Sequence, residues 1–479
     1  MEKTRVGLVS FTDPRAVKGI GRINKENLRY QNELSIFLKN AGFECFEPFK
    51  DKCVNSRSLS DKAAAEFLAA DVAAMVFGCW KWTDPMLAVG IARKVDRPIM
   101  LAGADDEEST PLGCIAAIGA ALWEIAPNSN ALNHNRVIGD YERIAKWAAG
   151  VGALGKLKES SLLLWGGSYC LKMSHLEDDS SKLKSFLVGD ILIEDEYFLV
   201  DGAERILNKQ HARIRKFLKW LKQNKTETTF DGGRARPEVL ERQIALYLAA
   251  RDRLDDLKEE HISGVSVRCQ PALSERYGVT GCIIPSLMPF GEDSEGMRTV
   301  VPATCEGDIK GLITSVLLQN IKRGTPPGFG DIRHLNVDDK MMLIVSNCGG
   351  ASAYYAAPGA GTAAAMSKTY FRPQCQGAAG CAVGYMGPSF GKATLARLMR
   401  KNGEYKMQYA VGTSVDVDEL IIRRLGWGDT WPVSLFDIDL NLADFTSSMG
   451  SNHYSFVPGD VSAELGYACA AAGIRMEKI

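Results

Sequence analysis

Val6-Gly-Leu-Val-Ser-Phe11, a short β-rich run that gives way to the helical pattern of Asn24–Asn40, decides how the N-terminal part of this chain is read. The same alternation returns three times. Strands are expected near Glu44–Phe46, Val72–Phe77 and Pro98–Leu101, and helices near Leu59–Ala69, Met86–Lys94 and Leu112–Trp123. Ser58 or Ser60, and Asp84, are the expected N-caps. Short apolar runs alternating with amphipathic helices are the pattern of a parallel sheet covered on both faces, a doubly wound domain. Such a sheet binds ligands beyond the carboxyl ends of its strands, here the loops Thr12–Gly21 and Gly78–Pro85.

Leu162-Leu-Leu-Trp165 followed by Gly166-Gly167-Ser168 restarts the strand-turn-helix rhythm. A strand at Asp190–Ile193, helices at Ala203–Lys222 and Pro237–Glu260, and a strand at Val265–Val267 continue it. Beyond Gly324 the composition changes, and residues 347–391 hold 9 Gly and 11 Ala in 45 positions. That stretch is too poor in large apolar residues for a standard core, so irregular β structure is expected there. The chain therefore reads as α/β: two doubly wound, Rossmann-like domains (1–160 and 161–323) and a C-terminal mixed α/β domain with irregular β structure (324–479).

Composition narrows the function. The 57 Lys and Arg balance 58 Asp and Glu, giving a formal charge of -1 over 479 residues, with no global field for a phosphate backbone or an anionic membrane. The longest uncharged apolar run, Leu112–Trp123, falls short of the ~20 residues a spanning helix needs. The first strand follows Met1-Glu-Lys-Thr-Arg with no apolar secretion segment, so a cytoplasmic location is expected. The 12 Cys are scattered without a CxxC pair, which predicts reduced, mostly buried thiols. Arg205–Lys225 carries eight basic residues and no acid, and reads as a solvated helix face balanced by the acidic helix after it. No GxGxxG follows the first strand, which disfavours a dinucleotide enzyme.

With six His in the chain, carboxylates must carry most of any site. The densest candidates are Cys305-Glu306-Gly307-Asp308, before the apolar run Ile309–Ile321, and Gly330-Asp331-Ile-Arg-His334. Read alone, Glu306 could equally be a capping-turn acid and Asp331 a turn residue. A third element, Ser451-Asn452-His453-Tyr454, adds an imidazole. One His with two carboxylates suits a hard or borderline divalent ion such as Mn²⁺.

These segments resemble the L-fucose isomerases and, more distantly, the L-arabinose isomerases. The resemblance is carried by Pro302-Ala-Thr-Cys-Glu306-Gly-Asp308 with Gly311–Gln319, by Gly330–His334, by Gly391-Lys-Ala-Thr-Leu-Ala-Arg397, and by Asn452-His453. It implies a metal-dependent aldose–ketose isomerase working through a cis-enediol, with Glu306 and Asp331 as the acid/base pair and with Glu306, Asp331 and His453 as ligands of Mn²⁺ or another divalent metal. Gln270, Trp431 (in the segment 428–432) and Asn452 are implied to touch substrate. Arg15 and Trp80 are implied to serve a neighbouring subunit's site in a hexameric or trimer-based homo-oligomer.

The chain is shorter than typical members, and Gly166-Gly167-Ser168-Tyr169 lacks the basic residue expected after the glycines. The Ala- and Gly-rich region 347–391 is not a close match to either family, and these differences fall where substrate shape would be read. A hexose, deoxyhexose or pentose is the first expectation. An anionic hexose such as a 6-sulfo sugar is the alternative, with Arg15, Arg22, Lys81 and Arg333 as anion partners. A non-catalytic sugar-binding protein of two doubly wound domains is the alternative from another class.

Overall fold

The computed structural model describes residues 3–15, 18–125, 128–337, 340–425 and 429–479. Ala16 and Val17 of the first expected ligand loop and Gly428 of the 428–432 segment lie outside these. The chain divides into two units, one of residues 1–155 with 463–473, the other of residues 156–462 with 474–479.

In the first unit five strands form an all-parallel sheet in the order 44–46, 5–10, 74–78, 99–103, 135–138. Successive side chains of a strand point to opposite faces, and here both faces are buried. Val9, Phe77 and Leu101 enter one core with Phe67, Ile91 and Ile118. Leu8, Val76 and Met100 enter the other with Leu34 and Trp147. The doubly wound expectation is met. Ser56, rather than Ser58 or Ser60, caps helix Arg57–Ala69 by accepting from Leu59 N, while Asp84 caps Pro85–Ala92 as expected. The helix-capping pattern placed the start two to four residues late because the first turn, Arg57-Ser-Leu, carries no apolar periodicity.

The order of strands reverses between 5–10 and 74–78, so the loops after them form the switch point. Arg15 lies there, its exposed guanidinium held by Asp13 at 2.6 Å. Lys81, in the other loop, pairs with Glu26. Trp80 is 1% exposed, lies against Tyr30 with ring centroids 5.3 Å apart, and donates from Nε1 to Ser10 Oγ at 2.8 Å. Its side chain serves the core of this unit. Trp82, which the sequence reading passed over, is the exposed tryptophan of that loop.

The second unit holds a four-stranded parallel sheet in the order 303–305, 262–267, 161–165, 190–194. Leu163, Trp165, Val265 and Val267 pack on helices 197–209, 211–223 and 237–256. The basic stretch is two helices, Tyr197–Lys209 and His211–Gln223, not the single Ala203–Lys222 expected. The charge reading of it agrees with the geometry: Arg213 bridges Asp252 at 2.7 Å, on the following helix, and Glu295 at 2.6 Å.

At the end of the neighbouring strand 190–194, Glu196 is buried against the left-handed Gly166, where a Cβ would lie 2.6 Å from Glu196 Oε1. Burial pushes its carboxyl up to about 7 although Arg268 opposes this. A folded pKa above the unfolded one makes this group stabilising at low pH, and that contribution is lost as pH rises through about 7. Glu196→Gln is therefore expected to be more stable than the parent at about pH 8 by on the order of 2 kcal/mol, with little difference at about pH 4. Thermal unfolding at the two pH values checks it. An equal difference at both would remove the charge as the cause.

The C-terminal region is mixed α/β, as expected, with a regular set of long strands beside the irregular segment. Strands 392–401, 453–458, 328–337, 340–346, 433–437 and 404–415 are joined in that order, and 392–401 also pairs with 404–415, which closes a six-stranded antiparallel barrel. Strand Arg475–Lys478 adds in parallel to 404–415. Closure leaves no free edge among the six, so long, regular strands are stable there. The Gly- and Ala-rich segment lies outside the barrel; it contributes a short hairpin, Tyr370–Pro373 with Cys381–Gly384, and helix Thr362–Ser367. Helix Ile309–Ile321 connects the two sheets of this unit. It packs on strands 453–458 and 392–401 on one side and on 262–267 on the other, and Ile309–Gln319 are all buried. A helix buried on nearly every side requires such a two-sided environment.

Candidate active site and metal centre

Strand 303–305 ends beside the start of that buried helix, where parallel sheets present their ligand loops. The chain turns there through Glu306 and Gly307, at φ +62° and +67°. A Cβ on Gly307 would stand 2.6 Å from Gly167 O and Tyr169 N, so only glycine lets this turn meet the 166–169 loop. A non-glycine residue in the left-handed region costs about 1–2 kcal/mol. Glu306 is held in it, the residue 6% exposed and its carboxylate aimed at the barrel.

Asp308, not Glu306, caps the helix, with Oδ1 accepting from Gly311 N at 2.9 Å. Its other oxygen accepts from His453 Nδ1 at 2.9 Å and from Arg397 Nη1 at 2.5 Å. All three side chains are fully buried. Burial would raise the Asp308 carboxyl, but the Arg397 guanidinium and His453 hold it well below the usual carboxylate range. A Cβ on Gly311 would lie 2.6 Å from Asp308 Oδ2 and 2.9 Å from Arg397 Nη1, so this ion pair requires glycine one turn into the helix.

His453 stands opposite Asp331 in the antiparallel pairing of strands 328–337 and 453–458. The bond to Asp308 places the proton on Nδ1 and turns Nε2 outward. Nε2 lies 3.3 Å from Glu306 Oε2 and 3.6 Å from Asp331 Oδ1, and it is buried without a formed hydrogen bond. Burial lowers the imidazolium pKa, yet the surrounding carboxylates outweigh it and raise it to about 10. The cluster thus attracts positive charge at Nε2. An orphaned ring nitrogen facing two carboxylate oxygens, with its other nitrogen held by a carboxylate, is a donor set that fits a hard or borderline divalent cation. Asp331 is the partly open member of the set.

Asn452 donates from Nδ2 to Asp331 Oδ1 at 2.6 Å, and its Oδ1 meets His175 Nε2 at 2.9 Å. Gln270 donates to Gln376 at 3.1 Å and lines a cavity that also reaches Cys305 and Gln374. Trp431 is buried and donates from Nε1 to Gln374 Oε1 at 3.0 Å. The structure therefore links Glu306 and Asp331 through His453, and Asn452 to Asp331, while Gln270 lines the neighbouring cavity and Trp431 reaches it only through Gln374. Arg15 and Trp80 belong to the first unit.

Sequence reasoning gave no role to Asp308, Arg397, His175 or Gln374. For Asp308 a signal existed: Asp three residues before Gly311 at the start of an apolar run is a cap pattern, and the capping role had gone to Glu306. Nothing local marks Arg397, because its partner lies 89 residues away.

The family model for the L-fucose isomerase C-terminal domain matches residues 345–479. The match contains Arg397, Trp431, Asn452 and His453, and agrees with the resemblance read from the sequence. Gln270, Glu306 and Asp331 precede it. Among curated proteins, the sulfoquinovose isomerases of Priestia aryabhattai and of Priestia megaterium are each 26% identical over 163 residues, 34% of this chain and 33% of theirs. That of Alkalicoccus urumqiensis is 30% identical over 98 residues, 20% of each chain. The chain spans about a third of the length of the first two. No helix among the described residues is long and apolar enough to cross a membrane.

Proposed function

We propose that this protein is a metal-dependent aldose–ketose isomerase, and that its substrate is an anionic hexose of the 6-sulfo type. The observation that carries the reaction class is the buried His453 Nε2 facing Glu306 and Asp331. A divalent ion such as Mn²⁺ held by these three side chains would act as a Lewis acid toward the substrate's O1 and O2. Glu306 and Asp331 move the proton between C2 and C1 through the cis-enediol, as a positioned acid/base pair. Asp308 fixes the imidazole so that Nε2 faces the carboxylates, and Arg397 keeps Asp308 ionised. Asn452 orients Asp331 and, with Gln270, binds sugar hydroxyls, while Trp431 bounds the sugar's cavity through Gln374.

The names of the curated relatives favour the sulfonated sugar. Arg333 supports it: residues two apart share a face of a strand and lie about 7 Å apart along it, so this exposed guanidinium is on the Asp331 side. Sulfonate is recognised well by such a planar donor. The second reading is a neutral hexose, deoxyhexose or pentose. A non-catalytic sugar-binding protein gives no role to a carboxylate–imidazole cluster of this construction.

The deciding experiment incubates the Mn²⁺-loaded protein with a panel of aldoses, 6-sulfo and neutral, and follows ketose formation. Turnover of the sulfonated sugar, abolished by exhaustive chelation and restored by Mn²⁺, is expected. Arg333→Ala should raise KM for that sugar and leave neutral ones unaffected. Full activity in metal-free protein overturns the metal role, and preference for neutral sugars overturns the substrate. We further propose a cytoplasmic homo-oligomer in which Arg15, on its exposed loop, completes a neighbour's site. Mixing inactive Arg15→Ala and Glu306→Gln oligomers under exchange conditions should then regenerate activity.

A further inference from the structure

Glu306 has two carboxylate oxygens, and the cluster described above uses Oε2. Oε1 faces the other way, toward sulfur. Cys348 Sγ lies 3.9 Å from Glu306 Oε1, and ligand atoms of Cys305, Glu306 and Cys348 all fall within 4.8 Å of one another. Two further thiols, Cys269 and Cys282, line the same cavity. One of the two sulfurs receives an amide donor, as metal-bound thiolates do: Asn347 Nδ2 donates to Cys305 Sγ at 3.2 Å.

We propose that Cys305, Cys348 and the Oε1 side of Glu306 form a binding site for a soft or borderline divalent cation, Zn²⁺ or Cd²⁺, distinct from the hard-ion cluster on the Oε2 side. Thiolate ligands select such ions, whereas Mn²⁺ prefers oxygen and imidazole. Binding forms two metal–sulfur bonds and one metal–oxygen bond, and the two thiol protons leave to solvent, so no oxidant or reductant takes part. The site shares Glu306 with the proposed acid/base pair. An ion there fixes that carboxylate and withdraws it from proton transfer, which makes the site inhibitory. Binding itself stands on the geometry; inhibition rests on the isomerase reading.

The test titrates Cd²⁺ into the Mn²⁺-loaded full chain kept reduced by a phosphine, reading thiolate-to-metal charge-transfer absorption and the ¹¹³Cd NMR shift. One equivalent per chain with a shift diagnostic of sulfur ligation is expected, and it needs no variant and no turnover. Activity is then measured over the same titration with Zn²⁺ and Cd²⁺ in excess Mn²⁺. For Cys348→Ser, compared with its own uninhibited rate, the half-inhibitory concentration should rise at least ~10-fold and the charge-transfer band should weaken, because a thiolate ligand is lost. A ¹¹³Cd shift showing only nitrogen and oxygen ligands overturns the site. Identical inhibition of parent and Cys348→Ser overturns it as well, since simple replacement of Mn²⁺ at the hard-ion cluster would give that result. Sulfur-bound Cd²⁺ in a protein that turns over no aldose would leave the site standing and remove the isomerase reading instead.

Discussion

Glu306→Gln and Asp331→Asn are each expected to abolish turnover of any aldose the parent converts. Loss of a general base alone costs ~10²–10⁴-fold. Here the same carboxylates also face His453 Nε2, at 3.3 Å and 3.6 Å, so each substitution removes charge from the metal-attracting cluster as well. The combined loss should exceed that range, with kcat falling far more than KM rises. Kinetics at saturating Mn²⁺, with bound metal verified by elemental analysis, check it. A variant that keeps more than a tenth of the parental kcat with metal bound would take that residue out of the proton path. Glu306→Gln should also leave the glutamate's left-handed backbone unchanged, because glutamine has the same steric demand there.

Arg397→Met is expected to lower folding stability more than other single substitutions at the site. Arg397 and Asp308 are both fully buried, and Asp308 holds the helix N-terminus and His453 at once. Removing one partner of a buried ion pair strands the other charge and costs about 3–5 kcal/mol. Adding Asp308→Asn to that variant should recover part of the loss, because the stranded charge goes with it. Denaturant unfolding of the single and double variants measures the coupling. If the double variant is less stable than the two single losses added together, the pair is not the source of the effect. The single variant should also weaken metal binding, because an Asp308 without its guanidinium partner holds His453 less firmly.

The parallel sheets were legible because their signal is local. Val6–Phe11, Leu162–Trp165 and Val265–Val267 are apolar runs next to helical patterns, and each became a strand buried on both faces. The apolar run Ile309–Ile321 was legible and is a helix over the same residues, although its cap is Asp308 and not Glu306. The barrel was not legible. Its closure depends on strand 392–401 finding both 453–458 and 404–415, and no local pattern records such pairings. The composition of 347–391 drew attention to a part of the C-terminal region that lies outside the barrel.

The sequence by itself determined the residue types, the spacing of 25 between Glu306 and Asp331, and the presence of a late His453, because these are properties of a linear order. The tertiary structure alone decided what they face. Only the register of strand 328–337 against 453–458 places Asp331 opposite His453. Only the turn at Glu306 and Gly307 sends one carboxylate oxygen toward imidazole and the other toward thiols. Only the packing of helix Ile309–Ile321 onto the barrel brings Arg397 to Asp308 and thereby fixes which nitrogen of His453 is left outward. Contacts across 89 to 145 residues are set by the free energy of closing a core around a buried charge, and a stretch of sequence does not carry that quantity.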